Sequence, residues 1–193
     1  PLLSPTQRPA NRHELPGLPL VGPVAADVSL YAPDYRCAER TFQLLVQAAG
    51  RAGRGMRPGT AVIQTYIPEH YGIQAAAAQD YQAFYRQEMG YRRLMHYPPV
   101  NHMLGLQVSG RDEELTSHMI DLIRDSVVRH FGACLEVIGP VPAPVYKVND
   151  IYRKILYMKQ ENYDILIRIR KYIQDRWDET EDCKKLAVQY DFG

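Results

Sequence analysis

From about residue 97 onward, hydrophobic and polar positions alternate with two periods, and the switches between them predict the elements. Leu104, Leu106 and Val108 point one way along a strand that Ser109-Gly110 closes. A helix follows, opened by Asp112-Glu113-Glu114, whose carboxylates suit its positive end. Its inward stripe is Leu115, Met119, Leu122, Ile123, Val127 and Phe131, and Gly132 stops it. Two β-rich runs, LEVIG and IYRKILYMK, are separated by the proline-rich PVPAPVYKVND. Asn162 then precedes a helix with Leu166, Ile169, Ile173 and Trp177 inward, and a last strand alternates Leu186, Val188 and Tyr190 with Ala187 and Gln189. The order β-α-β-β-α-β predicts a split βαβ domain.

The first half is less regular. Residues 1–19 hold five prolines and almost no periodicity, which predicts extended segments and loops. A short buried strand is expected over Leu20–Val28, interrupted by Pro23. Pro33-Asp34 reads as a helix start with Asp34 as the N-cap, and the helix runs from about Tyr35 to the glycines at 50, 53 and 55. Phe42, Leu45 and Ala49 form its core-facing stripe. Pro58-Gly59 predicts a turn into a strand over Thr60–Tyr66, and residues 74–95 read as one helix that Pro98-Pro99 ends. The expected domains are therefore 1–96, an α/β segment, and 97–193, an α+β domain.

Composition narrows the class without naming it. Among 193 residues, 46% are hydrophobic and 23% charged, ordinary values for a folded chain. Lys plus Arg number 23 against 22 Asp plus Glu, so nucleic-acid binding must come from local patches. No run approaches the roughly 18–20 apolar residues of a membrane span. Cys37, Cys134 and Cys183 are far apart with no C-x-x-C, which suits a reducing cytoplasm. The histidines at 70, 96, 102, 118 and 130 show no H-x-x-x-H spacing, so no metal site is expected.

The segment with the most chemistry is Gln47-Ala48-Ala49-Gly50-Arg51-Ala52-Gly53-Arg54. At about 100° per residue, Gln47, Arg51 and Arg54 fall within roughly 60° of one another, opposite Phe42, Leu45 and Ala49. Guanidiniums displayed this way suit a polyphosphate, since each planar fork can bond two oxygens. The same residues also fit an ordinary helix C-terminus whose arginines face the negative end of the dipole.

Q-x-x-G-R-x-x-R resembles motif VI of superfamily 2 helicases. APDYRCAERTFQLLVQAAGRAGRG, GTAVIQTYIPEH, DYQAFYRQEMGYRRLMHYPP and VIGPVPAPVYK together resemble the replication-restart (primosomal) helicase family. That resemblance covers nearly the whole chain. It implies part of a second RecA-like lobe in which Gln47, Gly50 and Arg51 meet ATP and Arg54 is the arginine finger on the γ-phosphate. It further implies that Thr6, Gln7 and His13 belong to the motif V region beside the DNA groove. Here the chain departs from the family's T-Q-x-x-x-K-G-H-[DE]-x-P, with Pro9, Asn11 and Arg12, and a lost glycine removes a conformation other residues adopt poorly.

No phosphate loop G-x-x-x-x-G-K-[ST] and no D-E-x-H box is present, so ATP and Mg2+ would be bound mainly by a first lobe outside this chain. The zinc-binding cysteine clusters of the family are likewise missing. The chain thus reads as the C-terminal part of an ATP-dependent DNA helicase, inactive by itself. The alternative is a stand-alone binding module derived from the same fold.

Ile151–Trp177 carries seven Lys or Arg against three acids, interleaved with tyrosines. Basic groups grip phosphates and exposed aromatics stack on bases, although Tyr172 and Trp177 at helical spacing suit a core equally. Arg153, Lys154, Arg168 and Lys171 are the expected phosphate contacts. The resemblance implies branched or single-stranded DNA as partner, together with the single-stranded DNA-binding protein and primosome proteins.

Overall fold

A computed structural model describes residues 20–52 and 59–193. The chain divides into two compact units, Pro1–Tyr91 and Arg92–Gly193, whereas the sequence pattern places the boundary at the Pro98-Pro99 break. Among the described residues no helix is long and apolar enough to cross a membrane.

In the first unit, β1 (Leu20–Val21) pairs in parallel with β2 (Thr60–Ala61). The ladder continues irregularly as the Val62 and Gln64 N–H groups donate to the Val21 and Pro23 carbonyls, both at 2.9 Å. Regular strand is therefore much shorter than the Thr60–Tyr66 run suggested, because Pro23 offers a carbonyl but no N–H. Helix α1 (Cys37–Ala49) buries Ala38, Thr41, Phe42, Leu45 and Ala49. Asp34 does not cap it; its carboxylate accepts from the Arg36 N–H at 2.9 Å and pairs with Arg40 at 2.7 Å, shaping the turn before the helix.

The single helix expected over 74–95 is two, α2 (Tyr71–Ala78) and α3 (Tyr81–Leu94). Gln79 adopts the left-handed conformation (φ 54°, ψ 30°) that ends α2, and Asp80 accepts from the Ala83 N–H at 2.9 Å. Both are cap chemistry, which outweighs helical periodicity at that point. Phe84 stacks on Phe42 with centroids 4.3 Å apart, and the Tyr71 hydroxyl donates to Glu88 at 2.5 Å. Phe84 and Tyr71 are packed in this way, while Tyr81, Tyr85 and Tyr91 are exposed.

The second unit is a four-stranded antiparallel sheet of order β4-β5-β3-β6, formed by β3 (His102–Gly110), β4 (Glu136–Val148), β5 (Ile151–Gln160) and β6 (Leu186–Phe192), with α4 (Glu113–Phe131) and α5 (Tyr163–Glu179) between them in the chain. Leu104, Leu106, Val108, Leu156 and Met158 have no exposed surface, and Ile120, Val127, Leu166 and Ile169 meet them from the helices. On α4 the inward stripe contains Ile120, while Leu122 is 48% exposed. Ile120 shares the face of Thr116, Met119 and Val127 at helical spacing, and Leu122 falls outside it. Trp177 is buried in this core, and the Tyr172 hydroxyl bonds Ser126 at 2.8 Å. The prolines of PVPAP lie within β4, at the sheet edge, where missing N–H groups break no central ladder.

One buried charge ties the start of this unit to its sheet. Lys159 is 2% exposed; its ammonium donates to the Met95 carbonyl at 2.8 Å and the Glu136 carboxylate at 3.0 Å, and lies 4.2 Å from the centroid of Tyr97. Replacing Lys159 by Met removes all three contacts and should lower stability by about 2 kcal/mol, read as a lower urea midpoint of the chain.

His70 caps α2 by accepting from the Gly72 N–H at 3.1 Å, a role open only to its neutral ring. Burial holds its pKa below the ordinary 6.5, against the opposing pull of Glu88 and Glu69. The cap's contribution is complete above the unfolded value and is lost as pH falls towards the depressed folded value. Thermal unfolding should show the chain losing stability as pH falls through and below the ordinary histidine value of 6.5, and His70→Asn, which keeps an accepting cap, should flatten that dependence.

Candidate functional site

Helix α1 runs on into Gly50, Arg51 and Ala52 without a sharp reversal. Gly50 has φ −65° and ψ −4°, and its N–H donates to the Val46 carbonyl at 2.9 Å. The Arg51 and Ala52 N–H groups then donate to Ala48 and Ala49 at 3.1 and 3.0 Å. These three-residue spacings are tighter than an α-helix, and they carry Arg51 about one turn past Gln47. Gln47 is exposed, Arg51 is half-buried, and Phe42, Leu45 and Ala49 are buried on the packed side. Gly53 and Arg54, and likewise Thr6, Gln7 and His13, lie outside the described residues.

A cavity of about 500 Å3 opens on the packed side of α1, where Ala49 and Ala52 meet Gly59, Ala61, Ile73 and Ala77. Its described lining carries no charged side chain, so it offers a phosphate no counter-charge. Gln47 and Arg51, two of the residues expected to meet a polyphosphate, do not line it.

The four basic residues expected to contact phosphate do not form one patch. Along β5, Leu156 and Met158 point to the helices, so Arg153 faces away from them and Lys154 has the helix-side parity. Arg168 and Lys171 are exposed on the outer side of α5, whose opposite side buries Leu166, Ile169 and Ile173. Arg153 is thus on the other face of the sheet from Arg168 and Lys171. Arg170 and Arg176 lie over Tyr190 and Tyr172, at 5.4 and 3.9 Å, as part of the packing.

Three cations that sequence reading passed over meet at the sheet end. Arg111, Lys184 and Lys185 line one groove of about 550 Å3 with Ser109, Gly110 and Ala187. The signal available in the sequence was only that Arg111 follows one strand and the two lysines precede another; their proximity comes from the pairing of Gly110 with Leu186. At the neighbouring β4–β5 hairpin, Tyr146 bonds Glu113, while Lys147 is held by the Tyr152 hydroxyl at 2.9 Å and by Asp150 at 3.2 Å. The Glu113 bond raises the pKa of the Tyr146 phenol. Among the described residues no group of three His, Cys, Asp or Glu is placed to hold a metal ion.

Comparison with known proteins adds a family context to this geometry. The sequence profile of the primosomal protein N C-terminal domain matches residues 93–191. The replication restart protein PriA of Bacillus subtilis (strain 168) is 35% identical over 188 residues, covering 97% of this chain and 23% of that protein. Its counterpart in Synechocystis is 38% identical over 162 residues, 84% of this chain and 20% of the relative. That of Thermotoga maritima is 35% identical over 158 residues, 81% and 21%. The chain therefore spans about a quarter or less of the length of these curated relatives. Among solved structures, the de novo designed protein Foldit4 overlays 48% of the chain with a TM-score of 0.39 at 15% identity, too distant to bear on fold or function.

Proposed function

The chain belongs to the PriA family, matching its C-terminal part, and from that premise we propose that it serves a replication-restart DNA helicase acting at stalled or branched forks. In this reading residues 20–91 are part of the second RecA-like lobe, and the second unit is a split βαβ domain that grips branched or single-stranded DNA. The observation that carries the reading is the pairing of a Q-x-x-G-R run at the end of α1 with the family's C-terminal domain in one chain. Two features support it. The parallel pair β1 and β2 leaves Leu20 and Val62 60% and 55% exposed, and parallel strands are normally covered within a larger layered sheet. The sheet order β4-β5-β3-β6 with both helices on one face is the arrangement a split βαβ domain adopts.

The division of labour follows from the residues present. Gln47 and Arg51, with Arg54, would meet the phosphates of ATP held with Mg2+ by another lobe. Their guanidiniums offset charge that spreads over the γ-phosphoryl oxygens as the bond to the leaving group breaks. With no phosphate loop in this sequence, the arginines have no bound triphosphate to act on. Partners in this reading are DNA, the single-stranded DNA-binding protein and primosome proteins, and the compartment is the cytoplasm. A binding module without a motor is the second reading, favoured by Pro9, Asn11 and Arg12 in the motif V region.

The purified chain should show no magnesium-dependent ATP turnover. In the longer protein that carries it, Arg54→Ala should lower kcat by about 10³-fold or more in a steady-state phosphate-release assay. Stoichiometric turnover by the chain alone, or an Arg54→Ala protein of undiminished rate, would overturn the assignment.

A further inference from the structure

The two edges of the sheet in the second unit are built differently. At one edge, β4 carries Pro140, Pro142 and Pro144 and two register irregularities, between Ile138 and Val141 and between Pro142 and Lys147. Missing N–H groups and bulges keep an edge from pairing with another chain. At the other edge, β6 has neither. Its register against β3 runs unbroken from Phe192 opposite Leu104 to Leu186 opposite Gly110. Just beyond it, Gly193 exchanges both backbone bonds with Met103, its N–H donating at 2.9 Å and its carbonyl accepting at 3.2 Å. Alternation along an antiparallel ladder then turns the N–H and C=O groups of Leu186, Val188, Tyr190 and Phe192 away from β3, toward the outer edge.

The apolar face is left open on the same side. Leu104, Leu106 and Val108 on β3 have no exposed surface, yet their cross-strand partners Phe192, Tyr190 and Val188 are only partly buried. Helix α5 overhangs this edge: the Tyr163 ring lies 5.4 Å from that of Phe192, and the Arg170 guanidinium 5.4 Å from that of Tyr190. Ile167 shares this flank at helical spacing, and Tyr163 and Ile167 are 42% and 40% exposed. The core thus ends in a step of half-covered side chains, beside a strand with no further neighbour among the described residues.

We propose that β6 pairs antiparallel with β6 of a second copy of this chain, about a two-fold axis at Gln189. What singles out a second copy is that the strand is complementary to itself. Gln189 is the middle of the seven residues Leu186–Phe192, so this register pairs all of them. It sets Val188 opposite the partner's Tyr190 and Leu186 opposite the partner's Phe192, apolar against apolar on the helix side. On the other side Ala187 falls opposite the partner's Asp191. Lys184 and Lys185, immediately ahead of β6, come within diagonal reach of the partner's Asp191, and no like charges are set opposite each other. Every position keeps its face, so the two sheets join into one continuous sheet with all helices on one side. The inference stands apart from the helicase reading, since it uses only the edge of the sheet.

The test is sedimentation of the whole chain across the micromolar range, with cysteine substitutions reporting the register. The parent should show a concentration-dependent monomer–dimer equilibrium. Gln189→Lys sets two ammonium groups opposite each other at the axis and should weaken association about tenfold, an effect that added salt partly reverses. The backbone groups of Gln189 point to β3, so at the axis its Cα meets its copy at about 4.5 Å, within disulfide range. In a chain carrying Cys37→Ser, Cys134→Ser and Cys183→Ser, Gln189→Cys should therefore form a disulfide-linked dimer on mild oxidation. Ala187→Cys alone should not, whereas Ala187→Cys and Asp191→Cys chains, once mixed, should cross-link to each other. Gln189 also accepts from Gln107 at 3.1 Å, so unfolding curves matching the parent establish that the variants fold. A chain that stays monomeric throughout the range overturns the proposal. So does a dimer that Gln189→Lys leaves intact and Gln189→Cys does not cross-link, which would place the contact on another surface.

Discussion

The period of two along β3 and β5 constrains nearly everything else in the second unit. Leu104, Leu106 and Val108 on one strand and Leu156 and Met158 on the other are fully buried on a single sheet face. Burying each such side chain is worth roughly 1.5–3 kcal/mol, and slipping either strand by one residue would turn the whole set to water. Register is therefore held firmly, and with it the destination of each intervening residue. Arg153 must face away from the helices because Leu156 must face them.

Polar chemistry is distributed around that commitment. Lys159 shares Arg153's parity, yet it is buried where the chain entering β3 crosses the sheet, and there it finds a carbonyl, a carboxylate and an aromatic face. Arg153 lies nearer the other end of the strand, beside a serine and without an ion pair among the described residues. The two share a parity and differ in environment, so Lys159 is structural while Arg153 takes no part in the core.

In the first unit the same logic works at a helix end. Phe42, Leu45 and Ala49 anchor α1, and the turns after Gly50 keep Arg51 in step with Gln47. A helix stopped abruptly at Gly50 would have thrown the arginine onto another face. The described lining of the cavity on the packed side is uncharged, and Gln47 and Arg51 do not line it.

Much of this was legible from the chain alone, for a local reason. The cores of β3, α4 and α5 and the stripe of α1 are written in periodicities of two and 3.6, which report burial directly. The Q-x-x-G-R run and the extended match to one helicase family were legible because they lie in contiguous residues. Missed features were those where a local cap or a distant strand decides. Gln79 and Asp80 divide a periodic helix through capping, Leu122 yields its place to Ile120, which shares the buried face of Thr116, Met119 and Val127, and the prolines of β4 are tolerated because tertiary order puts that strand at an edge. Sequence determined the apolar faces of β3, β5, α1 and α5 and which family the chain resembles, since both follow from pattern. Tertiary structure alone decided which cations are neighbours: Arg111 and Lys185 meet only because β3 and β6 pair, and no property of either short stretch encodes the other.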